Sequence, residues 1–93
     1  MRAYGIITMW SILYTKQAAK DLEKVKISSL YPKLKELIGI IKQNPYTNPP
    51  KFEKLSGFEN VYSRRLNIQH RLVYQIFDNN LSVKVISLWG HHD

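Results

Sequence analysis

The order of hydrophobic periods along these 93 residues predicts an α+β fold. An N-terminal strand and a two-helix hairpin are expected to pack on an antiparallel β-sheet of about four strands. Three observations carry this prediction. Helix-period apolar spacing is confined to residues 16–42. Strand-period alternation, with β-branched and aromatic residues, dominates from Tyr62 onward. Turn formers divide that second region at Ser56-Gly57, Asn67-Ile68-Gln69 and Asp78-Asn79-Asn80. The helices therefore run together instead of alternating with strands, which favours an antiparallel sheet.

In chain order, Trp10–Tyr14 reads as a first strand. The uncharged run Tyr4–Tyr14 after Arg2 loosely has the shape of a secretory signal, but its basic region is thin and its cleavage motif poor. Thr15 fits a helix N-cap, and Ala18, Leu22 and Val25 follow at helical spacing, so a first helix is expected over Lys16–Lys26. Ile27-Ser28-Ser29 breaks it. Pro32 suits the first turn of a second helix, with Leu30, Leu34, Leu37, Ile38 and Ile41 as its apolar stripe. Residues 43–51 hold Asn44-Pro45, Asn48 and Pro49-Pro50, which mark a loop. That loop delivers Phe52-Glu53-Lys54-Leu55. Two central strands follow, Tyr62–Leu66 and His70–Phe77, and a last strand is expected over Leu81–Trp89.

Composition narrows the function classes. Hydrophobic residues make up 44% of the chain, enough for a modest core in one domain. Fourteen Lys and Arg against seven Asp and Glu give a net charge of +7, which predicts attraction to a polyanion or an acidic protein. The absence of cysteine excludes disulfides, thiolate metal sites and a catalytic thiol, and fits a reducing compartment. No apolar run approaches the ~18 residues of a spanning helix, so no membrane role is expected and a cytoplasmic location is.

The stretch Tyr62–Gln75 concentrates the chemistry. Arg64, Arg65, His70 and Arg71 lie on or beside strands that also carry core residues. Arginine presents a planar fork of donors that fits phosphate. Glu53, Lys54 and His91 join them in or near the sheet region. A carboxylate, arginines and an imidazole suffice to cleave RNA without a metal or cofactor: a base takes the 2′-OH proton, a cation supports the phosphate, and an acid protonates the leaving oxygen. The same residues also describe an ordinary solvated sheet face. A zinc site is disfavoured, because adjacent His91-His92 lacks helical ligand spacing and a third ligand would be the distant His70. The glycines are too scattered for a phosphate loop, and Ser63 has no evident base around it.

Three segments carry a family resemblance: FEKL at 52–55, SRRLNIQHRLVYQ at 63–75 and VKVISLWGHH at 83–92. Together they resemble the RelE superfamily of toxins, and more narrowly the Txe/YoeB branch of type II toxin–antitoxin modules. The likeness runs from about Met9 to His92 and includes YTKQAAKDLEK near the start. Short members begin near Met9, so residues 1–8 read as an N-terminal extension and residues 9–93 as one toxin domain.

The resemblance implies a RelE-like fold and a ribosome-dependent mRNA endonuclease, or mRNA interferase, that cuts messages in the ribosomal A site. It places the general base at Glu53, the phosphate-binding arginine at Arg71 and the general acid at His91. Arg65 matches a second functional arginine, and Lys54, Arg64 and His92 join it as RNA contacts. The branch normally closes with His-Tyr, so His92 occupies the tyrosine position, where imidazole can partly replace both stacking and hydrogen bonding. His70 precedes Arg71, so alternation turns it to the opposite face, where it reads as a structural histidine. The implied partners are the 70S ribosome with its mRNA, and a YefM/Axe-like antitoxin whose acidic segment folds around the toxin. A homodimer is a further option. Two alternatives stay open: a non-catalytic nucleic-acid- or partner-binding module of this fold, and a gyrase-poisoning relative.

Overall fold

The protein's structure, a computed structural model, describes residues 9–90. Eight elements follow one another: β1 (Ser11–Tyr14), α1 (Lys16–Lys26), α2 (Tyr31–Gln43), β2 (Glu53–Lys54), β3 (Val61–Arg65), β4 (Arg71–Phe77), a 3₁₀ turn (Asp78–Asn80) and β5 (Ser82–Ser87). The termini, including His91 and His92, lie outside the described residues.

Local chemistry explains each boundary. The Thr15 hydroxyl accepts from the Ala18 N–H at 3.0 Å, capping α1, and donates to the Ile86 carbonyl at 2.8 Å. One side chain thus starts the helix and ties it to β5. The Ser28 hydroxyl donates to the Val25 carbonyl and accepts from the Leu30 N–H, which turns the chain between the helices. Pro32 sits in the first turn of α2, where its missing N–H costs nothing. The Asn67 side chain accepts from the Gln69 and His70 N–H groups and closes the β3–β4 turn.

The sheet has five strands in the order β1-β5-β4-β3-β2. The expectation of about four antiparallel strands needs correcting in two ways. Glu53–Lys54 forms a two-residue edge strand of its own, antiparallel to β3. The first strand pairs parallel with β5, Ser11 against Ser82 through Tyr14 against Val85. The long connection between these two strands, through both helices and three further strands, leaves room for parallel pairing, which a short turn could not. The last strand is also shorter than expected. It ends at Ser87, after a register shift opposite Val73/Tyr74, because the next two N–H groups bond elsewhere.

Period-two alternation separates the sheet's faces. Leu72, Tyr74, Ile76, Val83, Val85 and Leu88 pack against Ala18 and Val25 of α1 and Leu34, Leu37 and Ile41 of α2. Ser63, Arg65, Arg71, Val73 and Gln75 alternate to the opposite face, which the helices leave uncovered.

Candidate active site

The uncovered face of β2, β3 and β4 gathers the candidate chemistry. Cross-strand register sets Glu53 opposite Ser63, Ser63 opposite Val73, and Arg65 opposite Arg71. Arg71 Nη1 lies 3.2 Å from Glu53 Oε1 and 3.4 Å from Ser63 Oγ. The Arg71 side chain is mostly covered, whereas Glu53 is half exposed. Ser63 is buried beneath them. The three side chains line a cleft of about 430 Å³, whose walls also include Lys51, Arg65, Arg64, Pro50 and Leu37.

The cleft carries excess positive charge. Arg65 and Arg71 are directly opposed, an arrangement that is destabilising for like charges. Glu53 compensates Arg71. Arg65 is exposed and has no ion-pair partner among the described residues. A phosphate entering the cleft would bridge both guanidiniums and offset their repulsion. The carboxylate would then be released from Arg71 to accept a proton from a neighbouring hydroxyl. No cluster of three or more metal-ligating side chains occurs among the described residues.

Lys54 is exposed on the edge strand and alternates to the face opposite Glu53. Arg64, expected among the RNA contacts, borders the same cleft, but its guanidinium is bonded within the fold. It is 1% exposed, on the helix side of the sheet. Its Nε donates to Tyr74 Oη at 3.0 Å, Nη1 to the Pro50 carbonyl, and Nη2 to the Pro45 and Thr47 carbonyls at 3.1 and 2.8 Å. The guanidinium also lies 4.6 Å from the Phe52 ring centre. Residue parity explains this correction: on one strand, consecutive arginines must face opposite ways, and Arg65 holds the open face. Arg64 therefore fastens the loop that leads into Glu53.

The segment after β5 runs back along the start of β4. Asp21 on α1 is 1% exposed, and its Oδ2 accepts from the Leu88 and Trp89 N–H groups at 2.9 and 3.2 Å. Its Oδ1 accepts from Gln17 Nε2 at 2.8 Å. His70 Nδ1 accepts from the Gly90 N–H at 2.8 Å, and its ring stacks on Trp89 with centres 4.0 Å apart. His91, the next residue, is outside the described residues, as is His92. Sequence reasoning missed Asp21, although an acid between Ala18 and Val25 on an apolar helix stripe was a readable signal. It also passed over Ser63 as a support for Arg71.

Fold and site together define a small basic domain with a carboxylate–arginine cleft on an open sheet face, the architecture of RelE/YoeB-type toxins of type II toxin–antitoxin systems. Residues 14–92 match the model of the YoeB-like toxin of bacterial type II toxin-antitoxin system, and the chain belongs to that family. Among solved structures it is similar to a YoeB/ParE toxin from Agrobacterium tumefaciens, with 26% identity, a TM-score of 0.80, and 88% of this chain and 99% of that one covered. A YoeB dimer from Staphylococcus aureus is 32% identical with a TM-score of 0.78, over 90% of this chain and 99% of that one. The YoeB-YefM complex from the same organism is 33% identical with a TM-score of 0.73, over 89% and 98%. No curated protein sequence matches the chain significantly.

Proposed function

We propose that this toxin is a ribosome-dependent mRNA endonuclease. The observation that carries the reading is the Glu53–Arg71 contact at 3.2 Å in an open cleft beside Arg65, which has no ion-pair partner among the described residues. The cleft supplies a proton acceptor and two phosphate-binding forks within one side chain's reach.

The step follows from these positions. Glu53 accepts the proton of a 2′-OH, and the resulting oxygen attacks the adjacent phosphorus. Arg71 and Arg65 stabilise the pentavalent phosphate. The bond from phosphorus to the 5′ oxygen breaks, and His91 gives that oxygen a proton. The products are a 2′,3′-cyclic phosphate and a 5′-hydroxyl. Lys54 and His92 contact RNA around the cut, His92 by stacking or hydrogen bonding. The ribosome holds the message in place, so the toxin supplies only the acid, the base and the cations. The +7 charge draws the domain to the RNA-rich decoding site. The S. aureus relative is complexed with YefM, which supports a YefM-like antitoxin here, bearing an acidic segment complementary to the cleft. A dimer of this chain has its precedent in the same organism's YoeB.

Mapping message 5′ ends after a brief pulse of expression tests the reading. Cuts inside translated frames are expected for the parent and are expected to fall to a small residual level in Glu53→Ala and His91→Ala. Growth arrest without new ends would refute cleavage and leave a binding or gyrase-directed toxin.

A further inference from the structure

Two titratable side chains that the mechanism does not use bond to the same three-residue segment. Asp21 spans from α1 to the Leu88 and Trp89 N–H groups, 67 and 68 residues along the chain. His70 spans from the head of β4 to the Gly90 N–H and stacks on Trp89. Buried carboxylates are costly unless they are satisfied, and Asp21 is satisfied chiefly by these two amides and Gln17. Accepting at Nδ1 assigns the hydrogen of a neutral His70 ring to Nε2. Gly90 takes φ +112°, a conformation that residues with a Cβ rarely adopt. Among the described residues, chain neighbours aside, no atom lies within 4 Å of where a Cβ on Gly90 would stand, so the dihedral angle is what calls for glycine there.

We propose that Asp21 and His70 form a two-point clamp on Leu88–Gly90 that sets the exit direction of the C-terminal tail, which makes both of them positioning residues for His91. The inference rests on the reading of His91 as the general acid. Both anchors lie where they must to serve that end. His70 directly precedes Arg71, so the strand that presents the phosphate-binding arginine also holds the tail. Asp21 references the same tail to the helix layer. A displacement of about 1 Å can cost on the order of 10²-fold in rate, so an unclamped tail would fold yet cut poorly.

The test uses the full-length toxin, 70S ribosomes programmed with a short message, and single-turnover cleavage. His70→Phe keeps a ring over Trp89 but removes the acceptor. Asp21→Asn keeps an acceptor for both amides, and Asp21→Leu removes it. His70→Phe is expected to lower the rate ~10²-fold at saturating toxin, with the half-saturating concentration unchanged. Asp21→Asn is expected to stay within about twofold of the parent. In the His91→Ala background, His70→Phe is expected to cost no more than about twofold further. An undiminished loss in that background would overturn the proposal, because His70 would then not act through His91.

Backbone ¹⁵N relaxation keeps the clamp falsifiable by itself. Order parameters near ~0.85 at Leu88–Gly90 in the parent are expected to fall below ~0.6 in His70→Phe. Unchanged values would refute the clamp even if the toxin cleaves RNA. A parent that cuts no message would instead refute the proposed function, and the relaxation data alone would then decide the clamp.

Discussion

Arg64 is a buried cation with no ion-paired carboxylate among the described residues, and removing its charge tests how the loop before Glu53 is held. Its four hydrogen bonds go to one phenol and three carbonyls of residues 45–50. Bonds to a charged group contribute about 1.5–3 kcal/mol each, so a naive sum reaches roughly 6–12 kcal/mol. The true cost is smaller. The bonds share one donor group, and the loop carbonyls regain water if the loop lifts. A loss of about 3–5 kcal/mol is expected for Arg64→Met, which keeps the aliphatic stem against Phe52 but leaves the acceptors bare. That is a large share of the ~5–15 kcal/mol that holds a small domain together. Arg64→Lys is expected to fall between, near ~2 kcal/mol, since one ammonium cannot spread across the same planar fan of acceptors. Urea unfolding followed by Trp fluorescence measures both, with an unchanged slope confirming that only the native state moved. A value for Arg64→Met within about 1 kcal/mol of the parent would refute the reasoning. Arg64 would then be a dispensable buried charge, as some are when apolar side chains replace them.

Other perturbations reach the remaining parts of the molecule. Arg71→Ala is expected to lower cleavage ~10²–10³-fold, and Arg71→Lys to recover only part, because a lysine cannot give a bidentate contact; single-turnover rates on programmed ribosomes decide it. Thr15→Ala loses both the α1 cap and the bond to Ile86, so about 1–2 kcal/mol and a Tm lower by about 5–10 °C are expected by calorimetry. Burial, then the hydrogen bond to Asp78, pushes the Tyr46 phenol up to about 12. A raised phenol favours the folded state while it stays protonated, so this contribution is whole below pH ~10 and is lost as pH rises toward 12. Absorbance titration of the tyrosinates is expected to lose its latest-ionising phenol in Tyr46→Phe. Ribosome binding is expected to weaken steeply with salt, as counterion release requires, and Arg65→Ala to flatten that slope by about one unit.

Much of this fold was legible because its signals are local. Lys16–Lys26 is marked at its start by Thr15 and along its length by the spacing of Ala18 and Val25, and the structure has the helix over those residues. Parallel pairing of β1 was not legible, since nothing in Ser11–Tyr14 encodes which edge it joins. The two-residue β2 is too short for any period to show. At the site, alternation separated Arg65 from Arg64 and Arg71 from His70, while the Arg65–Arg71 pairing and the Glu53 contact depend on a register that only the folded sheet supplies. Arg64 misled because an arginine beside phosphate-type residues looks functional, and sequence cannot weigh four partners drawn from a distant proline-rich loop. Asp21 escaped for the same reason, because its amide partners lie at the far end of the chain.

These long-range bonds share a logic. The cleft needs a carboxylate from a two-residue edge strand and, in the proposed reaction, a histidine from the chain's end. Neither element is held by sheet pairing alone. Edge strands and termini are where local opening is cheapest. The protein answers with long-range side-chain bonds at each weak point: buried Arg64 reaches back to the loop before Glu53, while buried Asp21 and half-buried His70 reach forward to the segment before His91. Arg71 sits between them on β4, a strand paired on both sides. In the proposed reaction this strand presents the cation, while the edge strand and His91 present the groups that move protons. Loosening either anchor is therefore expected to degrade acid–base chemistry before it unfolds the domain. The order of losses in Arg64→Lys and His70→Phe, cleavage rate first and midpoint of unfolding second, would show it.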